Sequence, residues 1–203
     1  MSYPPPPYSS YDRDKMLDLI RNYPLATLIS AKDDRAFATH IPIIYNEETQ
    51  KLVAHIDIYN PQVETLVDGA MVKVVFKGPD CYISPSVYST DQLPTWNYMI
   101  VYVDGTVSRI NDAESAKRTM IDMTAFLEGP EPGFVLENDN PKMERSVNYI
   151  QAFTIDIHTM NGRFKLSQDK KPEDRRRAKQ ALIAHSRPQE KEFIERIYDS
   201  ARK

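Results

Sequence analysis

Leu25-Ala-Thr-Leu-Ile-Ser30 and Ala36-Phe-Ala-Thr-His-Ile-Pro-Ile-Ile44, separated by the polar turn Lys32-Asp33-Asp34, decide how this chain is read. Both runs alternate in character and are rich in β-branched residues, so they predict two paired antiparallel strands. Leu52-Val-Ala-His-Ile-Asp57 predicts a third strand. Pro61-Gln-Val-Glu-Thr-Leu-Val67 predicts a short helix, with Asn60 as N-cap and Pro61 at the first helical position. Ala70 to Phe76 is densely apolar, which predicts a strand covered on both faces.

Working outward, Gly78-Pro79-Asp80 has turn chemistry and precedes the strand Cys81-Tyr-Ile-Ser84. Asn97 to Arg109 predicts a long strand. Residues 112–127 predict an amphipathic helix with Ala116, Met120, Met123, Ala125 and Leu127 toward the core. Gly129-Pro-Glu-Pro-Gly133 breaks it. A further helix is expected around 141–149, then a strand over Ala152–Ile157 with Phe153, Ile155 and Ile157 on one face. Helices are expected over 12–21 and, after the strands, over 172–184 and 189–201, the last with a stripe of Phe193, Ile194, Ile197 and Tyr198. Six or more strands with helices between and after them predict a mostly β, α+β small barrel and not a doubly wound sheet.

Composition narrows the function classes. The 203 residues suit one compact domain with appended helices, and 41% hydrophobic content suffices for its core. Expected divisions are an extended proline-rich arm over 1–11, with Pro4 to Pro7 as polyproline, a barrel over 12–170, and basic helices over 171–203 packed on the barrel or on a partner. No apolar stretch approaches the roughly 20 residues of a membrane span, and no secretory leader is evident, so a cytoplasmic protein is expected. Cys81 is the sole cysteine, excluding an internal disulfide. The net charge of −3 conceals an asymmetry: residues 161–203 hold 13 Lys/Arg against 7 Asp/Glu, while the remainder holds 13 against 22. A basic end can be a solvated helix face, a dock for an acidic partner, or a nucleic-acid contact.

GxGxxG, GxxxxGK, GxSxG and HExxH are absent, and His40, His55, His158 and His185 lack metal-ligand spacing, so no metal site is expected. Polar residues inside apolar strands remain. Thr39-His40 and His55 beside Asn60-Pro-Gln62 suit a polar pocket, although a lone strand histidine is ordinarily structural. Leu93-Pro-Thr-Trp-Asn-Tyr98 is either a packed corner or an aromatic shelf for a planar ring. In Gly162-Arg-Phe-Lys-Leu-Ser-Gln168 a turn glycine precedes Lys165, which either faces solvent or meets a ligand phosphate or carbonyl.

Seven blocks in order, Ala26-Thr-Leu28, Thr39-His-Ile-Pro42, His55 with Asn60-Pro-Gln62, Phe76-Lys-Gly-Pro79, Tyr82-Ile-Ser-Pro-Ser86, Pro94-Thr-Trp-Asn-Tyr98 and Phe164-Lys-Leu-Ser-Gln168, resemble the PaiB-like FMN-binding negative transcriptional regulators. The resemblance implies an FMN-binding split β-barrel with C-terminal helices, FMN as cofactor, and a homodimer whose two chains line the cofactor groove. It places the Leu25–Ser30 strand, with Thr27 and Leu28, beside the flavin ring, and His40, His55, Asn60 and Gln62 at the phosphate and ribityl end, with Thr39 also among the cofactor-binding residues. Trp96, Asn97 and Tyr98 would border the cofactor, and Lys165, Ser167 and Gln168 would join from a later strand. Ile58 stands where the family pattern carries an arginine. The implied role is a transcriptional or redox-linked regulator, with DNA contact through the basic C-terminal region. The alternative is a flavin-dependent oxidoreductase using NAD(P)H, with His40 or Tyr98 as proton donor.

Overall fold

The computed structural model describes residues 6–200. Strands are β1 (Ser9–Ser10), β2 (Leu25–Lys32), β3 (Arg35–Asn46), β4 (Lys51–Asp57), β5 (Met71–Ile83), β6 (Thr95–Ile110) and β7 (Ile150–Lys165). Helices are α1 (Arg13–Asn22), α2 (Ala113–Glu128), α3 (Pro141–Ser146), α4 (Pro172–His185) and α5 (Lys191–Ser200). The strands form one sheet in the order β1-β7-β4-β3-β2-β5-β6, and a further pairing of β7 with β6 closes it. That closure is the split β-barrel of an α+β protein. Among the described residues no helix is long and apolar enough to cross a membrane.

The residues cluster into two units. A terminal unit takes residues up to Asn22, Lys77–Val101 and those from Asn161 on; a central unit takes Tyr23–Phe76 and Tyr102–Met160. Both draw on the long strands β5, β6 and β7.

In the central unit β3 changes partner midway. Leu25–Lys32 pair with Arg35–Pro42, but from Ile43 on β3 pairs with β4, Ile43 opposite Ala54. Beyond Ala54 the ladder of β4 continues only with β7, ending at Asp57 opposite Ile150. The unpaired stretch of β3 meets a 3-10 turn, Pro61–Thr65, instead of a strand. Asn60 caps that turn by accepting the Gln62 N–H at 2.9 Å, and Asn60 Nδ2 donates to Thr39 Oγ1 at 3.2 Å. The split in the barrel is thus bridged by side chains where a ladder is missing. The turn ends at Thr65, two residues short of the expected helix. Gly105 lies where β6 and β7 approach: a Cβ there would sit 2.3 Å from the Asp156 carbonyl oxygen, so no other residue fits without moving backbone.

Strand register puts Leu25, Thr27, Ile29 and Ala31 on the same face as Pro42, His40, Ala38 and Ala36. Ala26, Leu28 and Ser30 point the other way and are buried. β5 continues the pattern: Val72, Val74 and Phe76 are buried, whereas Met71 is 59% exposed and Lys73 and Val75 are half-buried. The expectation of a strand covered on both faces therefore fails: among the described residues the outward side chains of β2, of β3 up to Pro42 and of β5 up to Val75 are exposed or half-buried. Over β3 and β4 beyond that face, α2 packs Met123 and Phe126 on Ile44 and Val53. Helix α2 starts at its cap Asp112, which accepts the Ser115 N–H at 2.7 Å, and ends at Gly129 in the left-handed region with φ 76. Its buried face holds Ala116, Lys117, Thr119 and Met123, while Ala125 and Leu127 are exposed. The stripe is rotated from the expected one because Lys117 is drawn inward to Glu114, 2.8 Å away, and to Glu144 of α3.

In the terminal unit two expected turns are strand interior. β5 runs through Gly78-Pro79-Asp80 unbroken, and a Cβ on Gly78 would meet Leu19 Cδ1 of α1 at 3.3 Å. Gly162 lies within β7, where a Cβ would sit 2.6 Å from the Phe164 ring and 3.1 Å from Met16 Cγ. Both glycines serve the close approach of α1 and not a reversal of the chain. Helix α1 buries Met16, Leu17, Leu19 and Ile20, with Asp12 capping the Lys15 N–H at 3.1 Å. α5 buries the expected Phe193, Ile194, Ile197 and Tyr198. Pro6–Tyr8 form a 3-10 turn where polyproline is expected; Pro4 and Pro5 lie outside the described residues.

Candidate functional site

The thirteen residues expected at the cofactor divide between the units. Thr27, Leu28, Thr39, His40, His55, Asn60 and Gln62 lie in the central unit, and Trp96, Asn97, Tyr98, Lys165, Ser167 and Gln168 in the terminal unit. What separates them further is whether their polar atoms already have partners.

Gln62 is 1% exposed and fully engaged at its amide nitrogen, which donates to Leu28 O at 3.1 Å and to Ser30 Oγ at 2.9 Å. Backbone carbonyls only accept, so this orientation of the amide is fixed. Ser30 Oγ lies 2.5 Å from Thr65 Oγ1, and Thr65 donates to Gln62 O at 2.7 Å. Only one proton order satisfies all three bonds: Gln62 to Ser30, Ser30 to Thr65, Thr65 back to Gln62. Arg109 secures the same turn from β6, its Nε donating to Leu66 O at 2.6 Å and Nη2 to Val63 O at 2.7 Å. Gln62 and Asn60 hold the turn against β2 and β3. Leu28 is wholly buried, so its side chain serves the interior.

The remaining polar residues of this unit are open. Thr27 and His40 face each other across the β2–β3 ladder, on the outer face, with no side-chain hydrogen bond to any described residue. His55, on β4 opposite Ala152, is half-buried, and its Nδ1 is buried without a partner. Burial holds its pKa below the usual histidine value, so the ring is neutral near pH 7. Gln62 Oε1 is likewise buried with no partner among the described residues. Ile58 is 38% exposed, and the neighbouring Asp57 carboxylate is occupied by the Tyr59 N–H at 2.8 Å.

The terminal unit spends its polar groups internally. Asn97, wholly buried, donates through Nδ2 to Tyr198 Oη at 3.2 Å and accepts at Oδ1 from Ser167 at 3.1 Å. Since the Ser167 hydrogen goes to Asn97, Tyr88 must donate to Ser167 across their 2.9 Å contact. Ser167 is held in the left-handed region, φ 57, by this chain. Burial raises the Tyr198 pKa, keeping the phenol protonated. Gln168 is also consumed: Nε2 donates to Pro7 O at 2.8 Å and Phe164 O at 2.5 Å, and Oε1 accepts the Leu166 N–H at 2.6 Å. Lys165 donates to Thr95 Oγ1 and lies 5.9 Å from the Tyr8 ring centroid. Trp96 is half exposed, its Nε1 donating to Asp80 at 2.7 Å and its ring 6.2 Å from that of Tyr82; Tyr98 is half-buried. Asp174, unnoticed in the sequence, is 1% exposed and anchors α4 by accepting the Ser89 N–H at 2.5 Å and Thr90 Oγ1 at 2.9 Å. The Ser89 N–H holds its carboxyl below the usual carboxylate range. Nothing local in the sequence marks it, since its partners lie some 85 residues away. Cys81 is buried, which pushes its thiol up to about 11 and leaves it unreactive.

A planar flavin needs a flat surface with few projecting side chains and polar groups at its margin. The outer face of β2 and β3 offers Ile29, Ala31, Ala36 and Ala38, with unengaged Thr27 and His40 beside them. The residues present therefore fit the group.

Comparison with known proteins agrees. The family model described as "Putative FMN-binding domain" matches residues 2–159. Over 204 residues, 99% of each chain, the protein is 26% identical to the Protease synthase and sporulation protein PAI 2 of Bacillus subtilis. It shares its fold with the FAD and heme binding protein from Mycobacterium smegmatis (TM-score 0.61, 21% identity, 82% of this chain and 78% of that one). The flavocytochrome Anf3 from Azotobacter vinelandii is similar to the same degree (TM-score 0.61, 14% identity, 82% and 74%).

Proposed function

The chain belongs to this family of FMN-binding domains, and on that premise we propose that it carries FMN on the outer face of β2 and β3, beneath a second copy of itself. The observation that supports this most is that Thr27 and His40 are open there while their neighbours are engaged in holding the fold. Leu25, 64% exposed at the margin of the face, with Ala36, Ala38 and Pro42 beyond it, leaves apolar surface of the kind protein interfaces cover. His40 would supply the ring margin or the phosphate with a donor; Thr27 would supply a hydroxyl. FMN when bound provides redox chemistry, and the protein orients it and sets its surroundings.

The role that fits is a flavin-binding regulator acting in the cytoplasm. For DNA contact through residues 170–200, Arg177, Arg187 and Arg196 are already turned to the carboxylates of Glu173, Glu190 and Asp18. Protein purified without added cofactor should show flavin absorbance and a dimer mass by light scattering. Leu25→Lys should halve the mass and release flavin together. A yellow monomer, or a colourless dimer, would separate the two halves of the proposal and refute their coupling.

A further inference from the structure

A cleft of about 770 Å³ in the terminal unit is lined, among the described residues, by Gln168, Lys170, Pro172, Arg175, Arg176, Lys179, Tyr198 and Asp199. Four of its eight lining residues are cationic and one is acidic. They converge: Arg175 and Lys179, one turn apart on α4, lie 5.8 and 5.9 Å from the Tyr198 ring centroid. Arg175 is braced by donating to Tyr198 O at 2.7 Å. Lys179 reaches Asp199 only at 3.5 Å, and Arg176 is exposed with no ion pair to a described residue. Lys170 is the one cation closely neutralised, by Asp169 at 2.7 Å. Two of these cations lie over the face of one tyrosine and Asp199 is the one carboxylate among the described lining residues, so the cleft carries a positive charge that a bound anion would offset.

We propose that this cleft binds a small molecule carrying adjacent phosphoryl groups, of the pyrophosphate type. Its volume lies within the roughly 300–1,000 Å³ of small-molecule pockets, far larger than one phosphate requires. Arginine forks and a lysine point charge together suit a polyphosphate, which offers several oxygens in different directions. Its concavity argues against duplex DNA, whose phosphates follow a long ridge and call for an extended basic stripe; Arg177, Arg187 and Arg196 are each turned to a carboxylate instead. The site is independent of the flavin face, since every lining residue belongs to the terminal unit.

Calorimetric titration of the full-length protein with inorganic pyrophosphate, with and without FMN added, tests this. Saturable one-to-one binding is expected in both states. Arg176→Gln combined with Lys179→Met should weaken it by at least about tenfold, as loss of charge-assisted contacts does, with flavin absorbance and the urea midpoint unchanged. Three results would overturn the proposal: no saturable heat, equal affinity in the double variant, or release of bound FMN by stoichiometric pyrophosphate. Displacement of pyrophosphate by duplex DNA, with affinity rising with duplex length, would assign the surface to nucleic acid and refute it equally.

Discussion

The two units treat buried polar groups in opposite ways. The central unit closes a small ring, Gln62 to Ser30 to Thr65 and back, and leaves Gln62 Oε1 and His55 Nδ1 without partners. The terminal unit strings Tyr88, Ser167, Asn97 and Tyr198 into an open chain in which each member finds a partner. A completed network makes a rigid frame, and one with vacant positions borders a place where something else can bind. The contrast separates residues whose polar atoms build the barrel from residues whose polar atoms stay open, even where they are neighbours in one motif.

Replacing Gln62 by Leu should cost the most. It removes the donor to the Leu28 carbonyl, to Ser30 Oγ (which keeps Thr65) and, at 3.5 Å, to the Phe37 carbonyl, and at about 1 kcal/mol per bond a loss of about 3 kcal/mol is expected in urea unfolding. Asn97→Ala should cost less, about 2 kcal/mol, because Ser167 keeps Tyr88 and only Tyr198 is left alone. If the two losses came out reversed, the Asn97 chain would hold the fold more strongly than the Gln62 ring. His40→Ala should leave the urea midpoint in place and weaken FMN binding by about tenfold, equivalent to about 1.4 kcal/mol, measured by flavin fluorescence quenching. An equal shift in stability would return His40 to the structural class.

The smallest effect concerns pH. His55 has a folded pKa below its unfolded value near 6.5, so the unfolded chain binds the proton more readily. The stability this group allows is therefore complete above the unfolded value and declines as pH falls from there through the folded one. His55→Phe should flatten that decline of the stability profile below about pH 6.5. An unchanged slope would mean the ring nitrogen is hydrated.

Much of the fold was legible. Alternation in Leu25–Ser30 and Ala36–Ile44, the cap at Asn60-Pro61 and the stripe of α5 were each read correctly, because period and capping are local. Gly78 and Gly162 were misread as turns, since a glycine required by a helix packed against it looks in sequence like one required by a reversal. The face of Ala70–Phe76 was misjudged for a related reason: whether a neighbouring layer covers a strand is a tertiary fact.

For the site, the motif blocks do not separate residues whose polar atoms are engaged from residues whose polar atoms stay open. Thr39 and His40 adjoin in one block, yet strand pleating sends Thr39 to Asn60 and His40 to the open face. Gln168 and Lys165 share a motif, but Gln168 is used up by three backbone groups, one of them in the N-terminal arm. What the sequence determined alone is what depends on local order: strand and helix periods, caps, the basic end, and the family blocks. Which polar groups are engaged and which stay open was decided only by the tertiary structure, because a hydrogen bond depends on distance in space, and partners such as Ser89 and Asp174 lie far apart in the chain.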